Sequence, residues 1–282
     1  MRRAPARKGT SGLKKNIETF AVCMVFAAVL TAVNSFAAMS ASVILRDGLG
    51  YVYALMAIAV LIWLSVTGKK RIGPEPGRLI TVNWEYFFLG AAVLAVSTCS
   101  FIEIFPSYNL YLYRLDTVTQ GPFLITRMIF SCIGFAVGPL LLTAGAVKTP
   151  VLKNLSIACA SLWSFAYLVS ECTFFIPLPD ISLYLPRLGT AAFAAMSFCY
   201  IAMAGKVGLR QNAAGLRTCG GMLVIFSISD AVFWILYHNN VYHEMLVSSF
   251  LFAALLGGYF ILFSLTLDRK FQKPAEVTGV EI

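Results

Sequence analysis

The sequence predicts an all-α fold: a polytopic transmembrane helical bundle of eight helices. Three observations predict it. Of the 282 residues, 59% are hydrophobic and only 12% charged, and the mean hydropathy is +0.79. Soluble domains carry about a quarter charged residues, so this chain cannot build an ordinary wet surface. Eight apolar stretches approach or reach the roughly 20 residues that a helix needs to cross a hydrocarbon core of about 30 Å. Finally, 18 of the 22 lysines and arginines lie in the two tails and in alternate connectors.

Residues 1–16 form a basic tail with Arg2, Arg3, Arg7, Lys8, Lys14 and Lys15. The first apolar run covers 17–45. Its basic start, the core FAVCMVFAAVLTAV and the small-residue stretch NSFAAMSAS also fit a signal peptide cleaved near Ala37, which would leave seven helices. The run is long for such an apolar region of roughly 7 to 15 residues, which favours a retained helix. The second run, 49–66, leads into GKKRIGPEPGR (68–78), where Pro74 and Pro76 between glycines predict an irregular connector. The third covers 84–105. PSYNLYLYRLDTVTQGP (106–122) then reads as an outer loop lying along the headgroup layer, with Tyr108, Tyr111 and Tyr113.

The fourth run, 123–147, contains Gly134 and Gly138 at GxxxG spacing, which marks a close approach of two backbones. Paired glycines at 220–221 and 257–258 suggest the same in the seventh and eighth helices. The fifth run covers 155–177 and is followed by PLPDISLYLPR (177–187), whose three prolines predict a non-helical connector. The last three runs are 188–204, 219–237 and 245–267, and the tail is 268–282. The transmembrane domain is therefore expected over 17–267. The positive-inside rule puts both termini in the cytoplasm, with Arg46, Arg114, Arg127 and Arg187 alone on the outer side.

Several function classes fall away. No stretch remains for a soluble catalytic domain, a nucleotide-binding unit or a DNA reader. The net charge of +9 is accounted for by topology, so the expected partner is membrane lipid and not nucleic acid. The seven cysteines are odd in number and lack CxxC spacing, so they read as small buried hydrophobes, with no metal site and no cofactor expected. There is no HExxH, no GxSxG, and no lysine within a late helix for a retinal Schiff base.

The chemistry-bearing residues are the charges inside the spans. A carboxylate near mid-bilayer costs roughly 2.5 to 3.5 kcal/mol on insertion scales and usually faces a bundle interior or a wet cavity. Asp230 lies in FSISDAVFWILY, about 16 Å of helical rise beyond Cys219, slightly toward the outer side. Phe226, Ser227, Phe233 and Trp234 share its face at spacings of three and four. It is read as functional, against the alternative of a structural hydrogen bond to a neighbouring helix. Glu171, Glu103 and Arg127 also fall in the outer half. Glu171 is either a second functional acid or one whose polar end reaches the interface; Glu103 and Arg127 read as interfacial or paired. His238, His243 and Glu244 lie in the loop YHNNVYHE, where a solvated segment is a better account than zinc ligation.

Helix 7, GGMLVIFSISDAVFWIL (220–236), resembles the corresponding segment of the lysoplasmalogenase family of integral membrane hydrolases. FAAMSFCYIAMAGKVGLR (193–210) resembles that family's helix 6 and the basic turn after it, and the helix count agrees. The family's Gly-Asp pair in helix 3 is replaced here by Ser97, Thr98 and Cys99, and the histidine of helix 4 and the Lys-Pro opening helix 2 are absent. Ser229 and Asp230 match. The resemblance implies cleavage of the vinyl ether of a lysolipid: an acid protonates the enol ether carbon and water attacks the oxocarbenium ion. Asp230 would be the acid, since desolvation disfavours a carboxylate anion. Glu171 or Glu103 would assist, and Ser229, Ser227, Trp234 and Arg127 would contact substrate. The alternative is a non-enzymatic transporter, lipid-binding or sensory protein in which Asp230 and Glu171 hold a proton or a cationic ligand.

Overall fold

The computed structural model describes the backbone over residues 9–39, 42–70, 78–79, 83–114, 117–147, 149–175, 184–207, 210–237 and 247–272. It contains eight helices: α1 (Gly9–Met39), α2 (Val43–Lys70), α3 (Asn83–Arg114), α4 (Thr117–Ala146), α5 (Pro150–Phe175), α6 (Leu185–Val207), α7 (Arg210–Tyr237) and α8 (Val247–Lys270). Two short strands, β1 (Arg78–Leu79) and β2 (Phe271–Gln272), pair antiparallel between the start of α3 and the end of α8. Seven of the helices are long and apolar enough to cross a membrane, which makes this an integral multi-pass membrane protein.

Helices α3 to α8 each pack on the next in sequence, and α8 returns to α3, so six helices form a closed circuit. α1 and α2 pack on each other and on the outside of α7. Two cores follow from this arrangement. Leu89, Val93, Phe130, Trp163, Tyr167, Phe198, Leu223 and Phe252 fill the circuit, while Cys23, Ala27, Leu30, Tyr53, Leu64, Met222 and Phe226 seal α1 and α2 to α7. α7 thus supplies a face to each core. That is why 61% of its apolar window is buried against 22% for α2, which turns most of its surface to lipid. The packing of α1 through Cys23, Ala27 and Leu30 makes it an integral member of the bundle.

The predicted GxxxG acts as expected. A Cβ on Gly138 would stand 2.5 Å from Leu94 of α3, and one on Gly134 would run into Ser97 and Trp163. Gly257 meets Ser227 across the α7–α8 contact, and Gly221 admits Leu64 of α2, but Gly258 has open space around it.

Three expectations need correction. The loop expected over 106–122 is mostly helix, because α3 runs on to Arg114 and α4 begins at Thr117. SYNLYLYR holds no glycine or proline after Pro106 to break the backbone ladder; the depth of its tyrosine side chains lies outside the described residues. α6 starts at Leu185, inside the supposed connector 177–187, since a proline at position 186 is tolerated in a first helical turn. The cysteines are not uniformly buried: Cys23 and Cys219 are, but Cys132 and Cys199 are exposed on the bundle surface, where lipid suits a thiol as well as a core does.

Candidate functional site: a charge ladder across six helices

Five successive helices each bring one charged side chain to the same end of the bundle, where α3, α5 and α7 finish and α4, α6 and α8 begin. In helix order they are Glu103, Arg127, Glu171, Arg187 and Asp230, and their signs alternate. Arg127 Nη2 is 3.8 Å from Glu103 Oε2, and Arg127 Nη1 donates to Glu171 Oε1 at 2.7 Å. Arg187 bridges the next two acids, with Nη1 3.6 Å from Glu171 Oε2 and Nε 3.5 Å from Asp230 Oδ1. Four of the five are buried: Arg127 and Glu171 are 1% exposed, Arg187 2% and Asp230 5%. Only Glu103, with 18% of its side chain exposed, approaches the surface.

The sixth helix closes the ladder with serines. The Ser248 backbone N–H donates to Glu103 Oε1 at 2.9 Å, its Oγ donates to Glu103 Oε2, and Arg127 Nη2 donates to the Ser248 Oγ. Ser249 Oγ donates to Glu171 Oε1 at 3.3 Å. Ser248 stands in the first turn of α8, where backbone N–H groups lack partners within the helix, so a carboxylate from α3 caps α8 from outside. Arg187 sits in the first turn of α6, the wrong end for a cation by the helix dipole. Its position therefore depends on Glu171 and Asp230.

Beneath the ladder lies a floor of rings. Tyr167 stacks on Phe252 at 3.9 Å, and Phe130 lies 5.1 Å from Tyr167 and 5.3 Å from Trp163. Trp163 Nε1 donates to Ser97 Oγ at 3.2 Å. The Arg127 guanidinium lies over Phe123, Phe130 and Tyr167 at 5.3 to 5.8 Å, contacts that offset part of its desolvation. The Tyr167 hydroxyl comes within electrostatic reach of Glu171, Arg127, Arg187 and Asp230 together. It is buried with no hydrogen-bond partner among the described residues, as are Glu171 Oε2 and Arg127 Nε. Some hydrogen-bonding capacity inside the ladder is therefore unused.

The predicted site residues divide. Asp230, Glu171, Glu103 and Arg127 all join the ladder. Arg127 does so nearly three turns into α4, because that helix starts six residues earlier than expected. Glu171 does not reach the interface. Ser229 faces Tyr53 of α2 beside Asp230. Ser227 and Trp234 turn away: Ser227 Oγ donates to the Val224 carbonyl at 3.1 Å and packs on Gly257, and Trp234 stacks on Phe250 at 4.6 Å. Residues 238–246, with His238, His243 and Glu244, lie outside the described residues. Among the described residues no group of three or more His, Cys, Asp or Glu is placed to hold a metal.

Sequence reasoning missed Arg187, Tyr167, Ser248 and Ser249. Arg187 had a signal: opposite charges alternate from helix to helix at one end of the predicted bundle, and it completes that series. Tyr167 lies four residues before Glu171, hence on the same face. Scans of the chain against protein-family models, curated proteins and solved structures each find no match.

Proposed function

We propose that this protein is a non-enzymatic membrane module that binds a proton or a cationic ligand at the ladder, with Asp230 and Glu171 as the binding acids. The observation that carries this is the charge count. Among the described residues, three carboxyl groups in the ladder, of which Glu103 is partly exposed, meet two guanidiniums, and the burial of Glu171 and Asp230 disfavours an uncompensated charge on either. One more positive charge completes the balance. An anionic ligand, such as a lipid phosphate at Arg127, would add to the excess. The aromatic floor favours a site that senses its ligand over one that passes it through. By the positive-inside rule both termini are cytoplasmic and the ladder faces the outer side.

The second reading is the lysoplasmalogenase-like hydrolase acting on a lysolipid. It is favoured by the convergence of Asp230, Glu171 and Glu103 into one connected network, which an acid with an assisting carboxylate requires. It ranks second because Asp230 and Glu171 both face the Arg187 guanidinium, and a general acid must present its proton to substrate. One experiment separates the two. Reconstituted protein is supplied with lysoplasmalogen, and fatty aldehyde is assayed beside the wild-type and Asp230→Asn proteins. No aldehyde is expected from either; release that Asp230→Asn abolishes would replace the binding reading with the enzymatic one.

A further inference from the structure

We infer that the ligand of this site is a single proton shared between Glu171 and Asp230, and that Arg187 is the element that responds to it. This rests on the reading of the ladder as a proton or cation site and narrows it to the proton. The position of Arg187 is the first ground. Its distances to the two acids, 3.6 Å to Glu171 and 3.5 Å to Asp230, are nearly equal, and Glu171 Oε2 accepts no hydrogen bond among the described residues. Neutralising either acid weakens the attraction on that side and draws the guanidinium toward the other. A displacement of Arg187 moves the first turn of α6 relative to α5 and α7, so occupancy is converted into helix position.

The second ground is what a metal or organic cation would meet. Each carboxylate of the ladder lies within 4 Å of a guanidinium nitrogen, so such a cation would approach two fixed positive charges. A metal ion would also need several oxygen ligands, whereas a proton needs one lone pair. The third ground is the Tyr167 hydroxyl, which is buried under the ladder and donates to neither acid among the described residues, so neither carboxylate anion gains a hydrogen bond from it.

The groups facing the shared proton come from every wall of the site. They are Glu103 of α3, Arg127 of α4, Tyr167 with Glu171 of α5, Arg187 of α6 with Tyr184 before it, Ser229 beside Asp230 on α7, Tyr53 of α2, and Ser248 and Ser249 of α8. Uptake is a simple transfer from bulk water: one carboxylate becomes a carboxylic acid, and the five charged groups go from a net single negative charge to zero.

The test is infrared spectroscopy of the full-length protein in lipid nanodiscs at neutral pH, reading the carboxylic acid C=O band and its shift in heavy water. The wild type is expected to show one such band. Asp230→Asn and Glu171→Gln should each abolish it, because either change removes the surplus acid, and Arg187→Gln should double it. In parallel, thermal unfolding of the wild type is followed with sodium, potassium or tetramethylammonium chloride at one ionic strength, and no cation should be preferred. A missing wild-type band overturns the inference without any variant having to fold. If one cation then stabilises the wild type and Asp230→Asn cancels that gain, the parent reading survives as a cation site. If no cation does, both fall.

Discussion

The Arg127 guanidinium meets Glu171, Ser248 and Glu103 at once, with three aromatic rings around it. Removing one partner of a buried ion pair typically costs about 3 to 5 kcal/mol, because the other charge is left uncompensated, whereas replacing both by apolar groups is often nearly neutral. Arg127→Leu is therefore expected to destabilise by about that amount, and the double variant Arg127→Leu, Glu171→Leu to recover most of the loss. Glu103→Gln should cost less than about 2 kcal/mol, since its side chain is partly exposed and an amide can still accept from Ser248. Unfolding of purified protein in mixed micelles measures all three. A double variant as damaged as the single one would show that the pair is not the unit of stability. At this scale the sequence disclosed the acids, since a carboxylate in an apolar run is conspicuous. Their partners are less legible: Arg127 reads as interfacial or paired from its place near the start of the fourth apolar run, and Arg187 falls just outside the sixth, whereas α4 and α6 start earlier than those runs.

At the scale of elements, the α3–α4 contact is set by small residues. Gly134 leaves room for the Ser97 hydroxyl and the Trp163 indole that hydrogen-bond each other, and Gly138 faces Leu94, with the Gly90 carbonyl 3.3 Å from where a Cβ would be. Lipid gives helices no hydrophobic reason to associate, so a lost close approach is not replaced by another driving force. Gly134→Ala is expected to cost about 1 to 3 kcal/mol through overpacking and to separate the Ser97–Trp163 pair. Gly258→Ala has no neighbour to meet and should be neutral or slightly stabilising. Melting temperatures of the two variants in one detergent decide this, and equal losses would refute the contact account. The spacing of Gly134 and Gly138 was readable in the chain. Which member of the 257–258 pair mattered was not, because that depends on the rotation of α8, and α8 is apolar almost all round.

For the whole molecule, the outcome of topology rests on α8. Its described apolar segment, Val247–Phe263, is shorter than the seven clear spans, and an α8 that failed to cross would put the two termini on opposite sides. Its contacts settle that it runs the length of α3. Ser248 binds Glu103 at one end, Tyr259 stacks on Phe88 further along, and at the other end β2 pairs with β1, Phe271 opposite Leu79. The 24 residues of α8 rise about 36 Å, enough for a core of about 30 Å. If α8 crosses as the eighth span, the positive-inside rule puts both basic tails in the cytoplasm, and fluorescent-protein fusions at either end should be fluorescent while alkaline phosphatase fusions at the same ends are inactive. A C-terminal phosphatase fusion with full activity would mean that the chain crosses an odd number of times. Hydropathy alone could count the helices but not place α8, which packs along α3 and completes the circuit that α3 begins. The same closure gathers charges from five helices at one end, an arrangement that no single helix of this sequence displays.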